Sequence, residues 1–192
     1  MQQNSLGANP TFPYKIACLC ELRDHAGRYL LIHRKKHPNK DLYSPIGGKL
    51  ETDLGESPAQ CAQREIAEEA GLDVPIARLH LAGIISERGF ASTPATGGPP
   101  VYGTGGSGTN WLIFWYRLLD PVDPADMPTH EIDEGKLEWV PRDQIDALDL
   151  PETDRLVIWP TVLAHEGGGF FTLHLDCTGD TVKWELQESV RR

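Results

Sequence analysis

The sequence predicts an α/β or α+β fold built on a mixed β-sheet. Three observations support this. Short β-leaning runs are interleaved with helical segments along the chain, and no internal repeat is visible. The 192 residues are 40% hydrophobic and 24% charged. That balance suits a soluble globular protein large enough to bury a core without disulfide or metal staples.

Residues 1–13 offer no periodic apolar face and read as a flexible leader, with residues 14–192 as one domain. Tyr14 to Glu21 and Tyr29 to Arg34 are apolar runs joined by Asp24-His25-Ala26-Gly27, a pattern that predicts two strands paired as a hairpin. Ser57-Pro58-Ala59-Gln60 combines a capping residue, a proline at the first helical position and a glutamine three residues after the cap. Gly71 supplies the stop, so a helix is bracketed over Pro58 to Ala70. At about 100° per residue, Ala59, Ala62, Ile66 and Ala70 share one side of it, while Glu65, Glu68 and Glu69 cluster on the neighbouring side.

Further strands are predicted over 78–86 and 111–118. Between them, the Gly/Pro/Thr/Ser-rich segment 89–109 is longer than an ordinary connection and is expected to be mobile. A short strand over 137–140, a short helical segment over 142–148 and a helix over 154–165 follow. Residues 170–176 and 181–186 read as a closing hairpin around Gly179-Asp180.

Charge narrows the function. A net charge of −10 disfavours a protein that grips nucleic acid through its phosphates, so a nucleic acid polymer is not expected as a partner. A small polyanionic substrate needs local help from a cation or from the basic run His33-Arg34-Lys35-Lys36-His37. Cys18, Cys20, Cys61 and Cys177 include no C-x-x-C pair and are expected to be buried thiols. Residues 1–13 hold no apolar signal core, and no apolar run approaches the roughly 18 residues of a membrane span, which predicts a cytoplasmic protein without a membrane partner.

The chemistry concentrates in Gly47-Gly48-Lys49-Leu50-Glu51, Gly55-Glu56 and the run Arg64-Glu65-Ile66-Ala67-Glu68-Glu69-Ala70-Gly71-Leu72. Adjacent glycines let the backbone turn sharply and bring a carbonyl close to an ion. Three carboxylates on one side of a helix offer the hard oxygen ligands that suit Mg²⁺ or Mn²⁺. Alone, such a cluster is usually a solvated acidic face, because like charges on an exposed helix repel only weakly. Here Glu56, Arg64, Glu65, Glu68, Glu69 and Gly71 fall together at the spacings of one signature, the Nudix box, G-x5-E-x7-R-E-U-x-E-E-x-G-U with U aliphatic. The chain resembles it closely from Glu56 to Leu72. It departs once: seven residues rather than five separate Gly48 from Glu56, so Thr52-Asp53 or their neighbours form a two-residue insertion.

The resemblance implies a Nudix-type α/β/α sandwich with a mixed β-sheet and a metal-dependent hydrolase that cuts a diphosphate linkage. It implies Glu65, Glu68, Glu69 and the Gly48 carbonyl as holders of Mg²⁺ or Mn²⁺. One of these glutamates, or one from elsewhere, would orient or deprotonate the attacking water, while Arg64 pairs with Glu56 to lock the loop to the helix. Beyond the box, Leu30-Leu31-Ile32-His33-Arg34, Glu134 ahead of Trp139, Asp143-Gln144-Ile145, Trp159-Pro160, Phe170 to His174 and Lys183 to Leu186 are similar to mutator-type Nudix enzymes that clear oxidised purine triphosphates. About residues 14–187 can be laid on that pattern.

On that comparison Glu134 adds a metal-directed carboxylate and Asp154 reads the purine edge. Arg155 stands where a second Asp is expected, and Ser44 where those enzymes carry a base-reading Asn. Of Arg34, Lys35 and Lys36, Arg34 is the first candidate for a phosphate contact, and Lys49 is a further candidate substrate-binding residue. Trp159 is taken as the least core-bound of Trp111, Trp115, Trp139 and Trp159, and so as the one to stack on a base.

The substrate is then a small nucleoside diphosphate-type molecule, first a nucleoside triphosphate yielding a monophosphate and pyrophosphate. Nucleotide sugars, ADP-ribose and dinucleoside polyphosphates stand as the alternative. A nucleotide-sensing module without turnover, and an isomerase using Cys61 on a prenyl diphosphate, are the readings from other classes. The 89–109 segment either enlarges the substrate site or mediates a homodimer.

Overall fold

The computed structural model describes residues 14–37, 39–90 and 109–191. Among the described residues eight strands form one sheet: β1 (Tyr14–Glu21), β2 (Tyr29–Arg34), β3 (Tyr43–Lys49), β4 (Leu79–Phe90), β5 (Thr109–Leu118), β6 (Gly135–Val140), β7 (Phe170–Asp176) and β8 (Lys183–Val190). Their order is β6-β2-β3-β1-β5-β4-β7-β8. β1 runs parallel to β5 and β4 parallel to β7, and the other neighbours are antiparallel, so the sheet is mixed.

Each face of the sheet carries its own core. On one, Cys18, Cys20, Leu30, Ile32 and Ile46 pack against Cys61, Ala62, Ile66 and Ala70 of the helix that begins at Pro58. On the other, Leu31, Ile85, Ile113, Trp115, Phe171 and Leu173 pack against Val157, Ile158, Trp159 and Val162 of the helical run that begins at Asp154. Helix, sheet and helix make the expected α/β/α sandwich.

The first helix starts where the sequence predicts. The Ser57 hydroxyl accepts from the Gln60 amide at 3.3 Å and the Gln60 side chain accepts from the Ser57 amide at 2.9 Å. Regular α-helix α1 (Pro58–Glu65) then continues without a break into a wider π-type turn over Ile66–Ala70. Gly71, at φ 70°, ends it with its amide on the Ala67 carbonyl. The C-terminal helix is built alike, a π-type turn over Asp154–Ile158 leading into α2 (Trp159–Ala164). Its far end is tied to the sheet by buried Arg117, which donates to both oxygens of Glu21 at 2.8 and 2.9 Å and to the His165 carbonyl at 3.0 Å.

Two expectations are corrected. β1 and β2 do not pair as a hairpin, because β3 lies between them. The turn itself forms: Asp24 accepts from the Ala26 and Arg28 amides at 2.9 and 2.8 Å, and a single bridge joins Arg23 to Tyr29 before the strands part. Trp159 is not an exposed stacking surface. It is 1% exposed and meets Tyr29 and Trp115 edge-on at 5.4 and 5.5 Å.

The closing hairpin β7–β8 and the buried free cysteines are as predicted. The leader and most of the 89–109 segment lie outside the described residues. Among the described residues no helix is long and apolar enough to cross a membrane.

Candidate active site

The end of β3 and the second half of the α1 helical run meet on one face of the sheet. Gly47 and Gly48 sit opposite Leu19 and Cys18 of β1, and close packing there leaves no room for side chains. A Cβ on Gly47 would strike the β1 backbone, and one on Gly48 would stand 2.6 Å from the Glu65 carboxyl carbon. At Gly48 the bare backbone lets the Glu65 carboxyl lie close, and a side chain there would push that carboxyl aside. Next to it the Gly47 amide donates to Glu69 at 2.8 Å.

Arg64 organises the carboxylates. Its guanidinium grips Glu56 through two bonds of 2.8 and 3.1 Å, and also reaches Glu65 at 2.7 Å, Glu68 at 3.1 Å and the Lys49 carbonyl at 3.1 Å. The Arg64 fork holds the Glu56 carboxyl below the usual range, and burial pushes Glu65 above it. Glu69 is pushed up to about 8, chiefly by burial, with Glu65 and Glu134 adding repulsion against the relief from the Gly47 amide and Arg34. Glu134 and Arg34 thus both stand within electrostatic reach of Glu69, on strand-end backbone joined by the bond from the Lys35 amide to the Glu134 carbonyl.

The inserted residues stay clear of this grip. Thr52–Leu54 forms one 3-10 turn, closed by Gly55 at φ 69°, and the Glu51 amide donates to Glu56 at 2.8 Å beneath it. The extra length bulges into solvent, leaving Leu54 78% exposed. Glu56 still reaches Arg64 on the far side of this turn.

A NUDIX domain model matches residues 13–159. The chain belongs to the Nudix family. The mutator MutT protein from Bacillus halodurans superposes with a TM-score of 0.67 at 24% identity, covering 90% of this chain and 97% of that one. A MutT protein from Methanosarcina mazei Go1 gives 0.55 at 21%, covering 77% and 91%. The NUDIX domain of Shewanella oneidensis NrtR, solved with ADP ribose, gives 0.56 at 18%, covering 80% and 90%. All three share the Nudix fold. With the box carboxylates and Arg64 all in place, the chain is a Nudix hydrolase, a pyrophosphohydrolase.

The residues present fit a divalent cation. Glu65 and Glu69 are mostly buried hard-oxygen donors, and a carboxyl raised as far as Glu69 lacks positive charge that an ion would supply. Glu65 and Glu68 lean on Arg64 while Glu69 leans on Gly47. Among the described residues no three acidic, His or Cys side chains already converge on one point, so taking up an ion requires these side chains to turn.

The expected substrate contacts are more scattered. Lys49 is exposed beside the box, and Arg34 lies near Glu69. Ser44 pairs with Ile32, and its hydroxyl is buried without a partner among the described residues. Asp154 stands at the start of the second helical run, against the opposite face of the sheet.

Cys61 is buried on the box helix as expected, and one further feature, Glu87, was missed from sequence. Cys61 donates to the Gly48 carbonyl at 3.7 Å and meets Arg64 at 3.6 Å, so it packs under the site. Glu87 is 4% exposed on the face of β4 that also carries Ile85. Its signal was there to read: an acid two residues after an inward isoleucine in a strand.

Proposed function

We propose that the protein hydrolyses a nucleoside triphosphate to a nucleoside monophosphate and pyrophosphate, with an oxidised purine as the first candidate base. The observation that carries this is the Arg64–Glu56 fork, which also gathers Glu65 and Glu68, next to the Gly47 amide that holds Glu69. Glu65, Glu68, Glu69 and Glu134 with the Gly48 carbonyl would hold Mg²⁺ or Mn²⁺. When bound, the ion supplies charge against the phosphate oxygens and makes a water easier to deprotonate.

The rest is done by the chain. Arg64 keeps Glu65 and Glu68 side by side and fixes the Glu56 loop against the helix. A carboxylate of the group takes a proton from water as its oxygen bonds to phosphorus and the bridging P–O bond breaks. The proton belongs to the coupled set rather than to one glutamate. Arg34 and Lys49 offer positive charge to the phosphates, and Asp154 and Ser44 offer polar groups to the base.

The test is product release from dNTPs, 8-oxo-dGTP, ADP-ribose, UDP-glucose and diadenosine polyphosphates with Mg²⁺ or Mn²⁺, and with EDTA. Pyrophosphate from one triphosphate, abolished by EDTA, is the expected result. Turnover only of ADP-ribose, a sugar nucleotide or a dinucleotide would replace the substrate. No metal-dependent turnover would leave a sensing module.

A further inference from the structure

Three buried thiols lie between the box helix and the sheet, and the hydrolytic chemistry assigns none of them a task. Cys18 and Cys20 on β1 donate to helix carbonyls about one turn apart, Cys18 to Pro58 at 3.0 Å and Cys20 to Ala62 at 3.8 Å. These two seat the helix on the sheet. Cys61 bonds in the other direction. From the helix it donates to the Gly48 carbonyl on β3 at 3.7 Å, and its sulfur accepts from Arg64 Nη2 at 3.6 Å.

The same Arg64 nitrogen also donates to the Lys49 carbonyl and to Glu56, each at 3.1 Å. Two consecutive backbone carbonyls are therefore tied to one guanidinium nitrogen, Lys49 directly and Gly48 through the Cys61 sulfur. A cysteine serving only as a small apolar filler needs no such partners. A carbonyl oxygen has two lone pairs, so the bond from Cys61 leaves the Gly48 oxygen able to accept a second partner. The tie has a particular use in this chain. Seven residues separate Gly48 from Glu56, and a longer connection constrains its two ends less. Cys61 joins Gly48 to the helix without passing through that connection.

We propose that Cys61 is a positioning residue for the metal cradle: its thiol sets the Gly48 carbonyl against the Arg64 hub, so that the carbonyl and the box carboxylates face a divalent cation together. This rests on the reading of the Gly48 carbonyl and Glu69 as holders of that ion. Cys61 touches neither ion nor substrate in this role. A thiol is a weak donor, so its loss shows in alignment, and hence in ion affinity, more than in stability.

The test is Mn²⁺ titration of the full-length protein without substrate, read by electron paramagnetic resonance, for wild type, Cys61→Ala, Cys61→Ser, Cys20→Ala and Glu69→Gln. Groups that orient metal holders typically contribute about 10–100-fold in affinity, and a weak donor belongs at the lower end. Cys61→Ala should weaken Mn²⁺ binding about tenfold, while Cys20→Ala, in the same buried layer, should stay within about twofold. Cys61→Ser should bind more tightly than Cys61→Ala, because a hydroxyl donates and accepts as the thiol does. A packing role predicts no such rescue, since a hydroxyl suits an apolar layer less than a methyl group.

Wild-type affinity in Cys61→Ala, an equal loss in Cys20→Ala, or no rescue by Cys61→Ser overturns the proposal; if Glu69→Gln is impaired, the metal site still stands. Wild-type affinity in Glu69→Gln overturns the metal reading and the proposal with it. The S–H stretch of Cys61 answers independently in metal-free protein. Taken as the Raman band lost in Cys61→Ala, or in Cys61→Ser should the first fold poorly, it should lie below the position of a free thiol. A band at the free-thiol position means that Cys61 does not donate to Gly48, which overturns the proposal.

Discussion

Replacing Arg64 by Ala removes the hub that three carboxylates lean on. Glu56 and Glu65 have side chains only 10% and 11% exposed, and both lose their closest cation. Removing one partner of a buried pair typically costs about 3–5 kcal/mol, and the 24% exposure of Arg64 places this case near the lower end. At about 2–4 °C per kcal/mol for a chain of this size, a loss of about 3 kcal/mol lowers Tm by about 6–12 °C. The loop carrying Glu56 is also released from the helix, and a misplacement of this kind costs on the order of 100-fold in kcat.

Thermal melts followed by circular dichroism, with and without Mg²⁺, check the first number, and pyrophosphate release checks the second. Mg²⁺ should recover part of the lost Tm, because a cation takes over the charge that Glu65 and Glu68 lost. Arg64→Lys should fall between, since an ammonium keeps the charge but not the fork. A Tm within about 2 °C of wild type with kcat within about threefold would show that the carboxylates do not depend on Arg64.

Two further predictions concern the backbone cradle and pH. Gly48→Ala places a Cβ against the Glu65 carboxyl, so the protein should fold but bind Mn²⁺ about 10–100-fold more weakly by titration; wild-type affinity would contradict the close contact. In EDTA, stability should fall between about pH 4.5 and 8. Glu69 and Glu87 are raised from 4.5 to about 8 and Asp154 from 3.8 to about 7, so the folded state keeps protons that the unfolded chain has released. Urea midpoints should therefore be lower at pH 8 than at pH 5, and the reverse order would contradict the burial argument. Mg²⁺ should narrow that difference, because it favours the ionised form of Glu69.

What the sequence made legible was local. Ser57, Pro58, Gln60 and Gly71 specify the start and stop of the box helix through contacts within a few residues, and the helix appears there. The Ala62–Ile66–Ala70 stripe likewise packs as its periodicity requires. What failed was long-range. The turn at Asp24–Gly27 carries a true turn signal, but nothing local tells β1 and β2 that β3 will part them, and Tyr43-Ser44-Pro45-Ile46-Gly47-Gly48 hides a strand behind a proline and two glycines. Trp159 looked exposed because its place in the core depends on Tyr29 and Trp115, both distant in sequence. The π-type turns at Ile66–Ala70 and Asp154–Ile158 have no marker in residue type, and they carry Glu68, Glu69 and Asp154.

The most direct test of the central claim is kcat for pyrophosphate release by Glu69→Gln and Glu68→Gln with Mg²⁺, alongside a melt to show that each is folded. A fall in kcat on the order of 100-fold or more is expected in both, with the fold retained. Wild-type turnover in either would contradict the assignment of these carboxylates to the hydrolytic site.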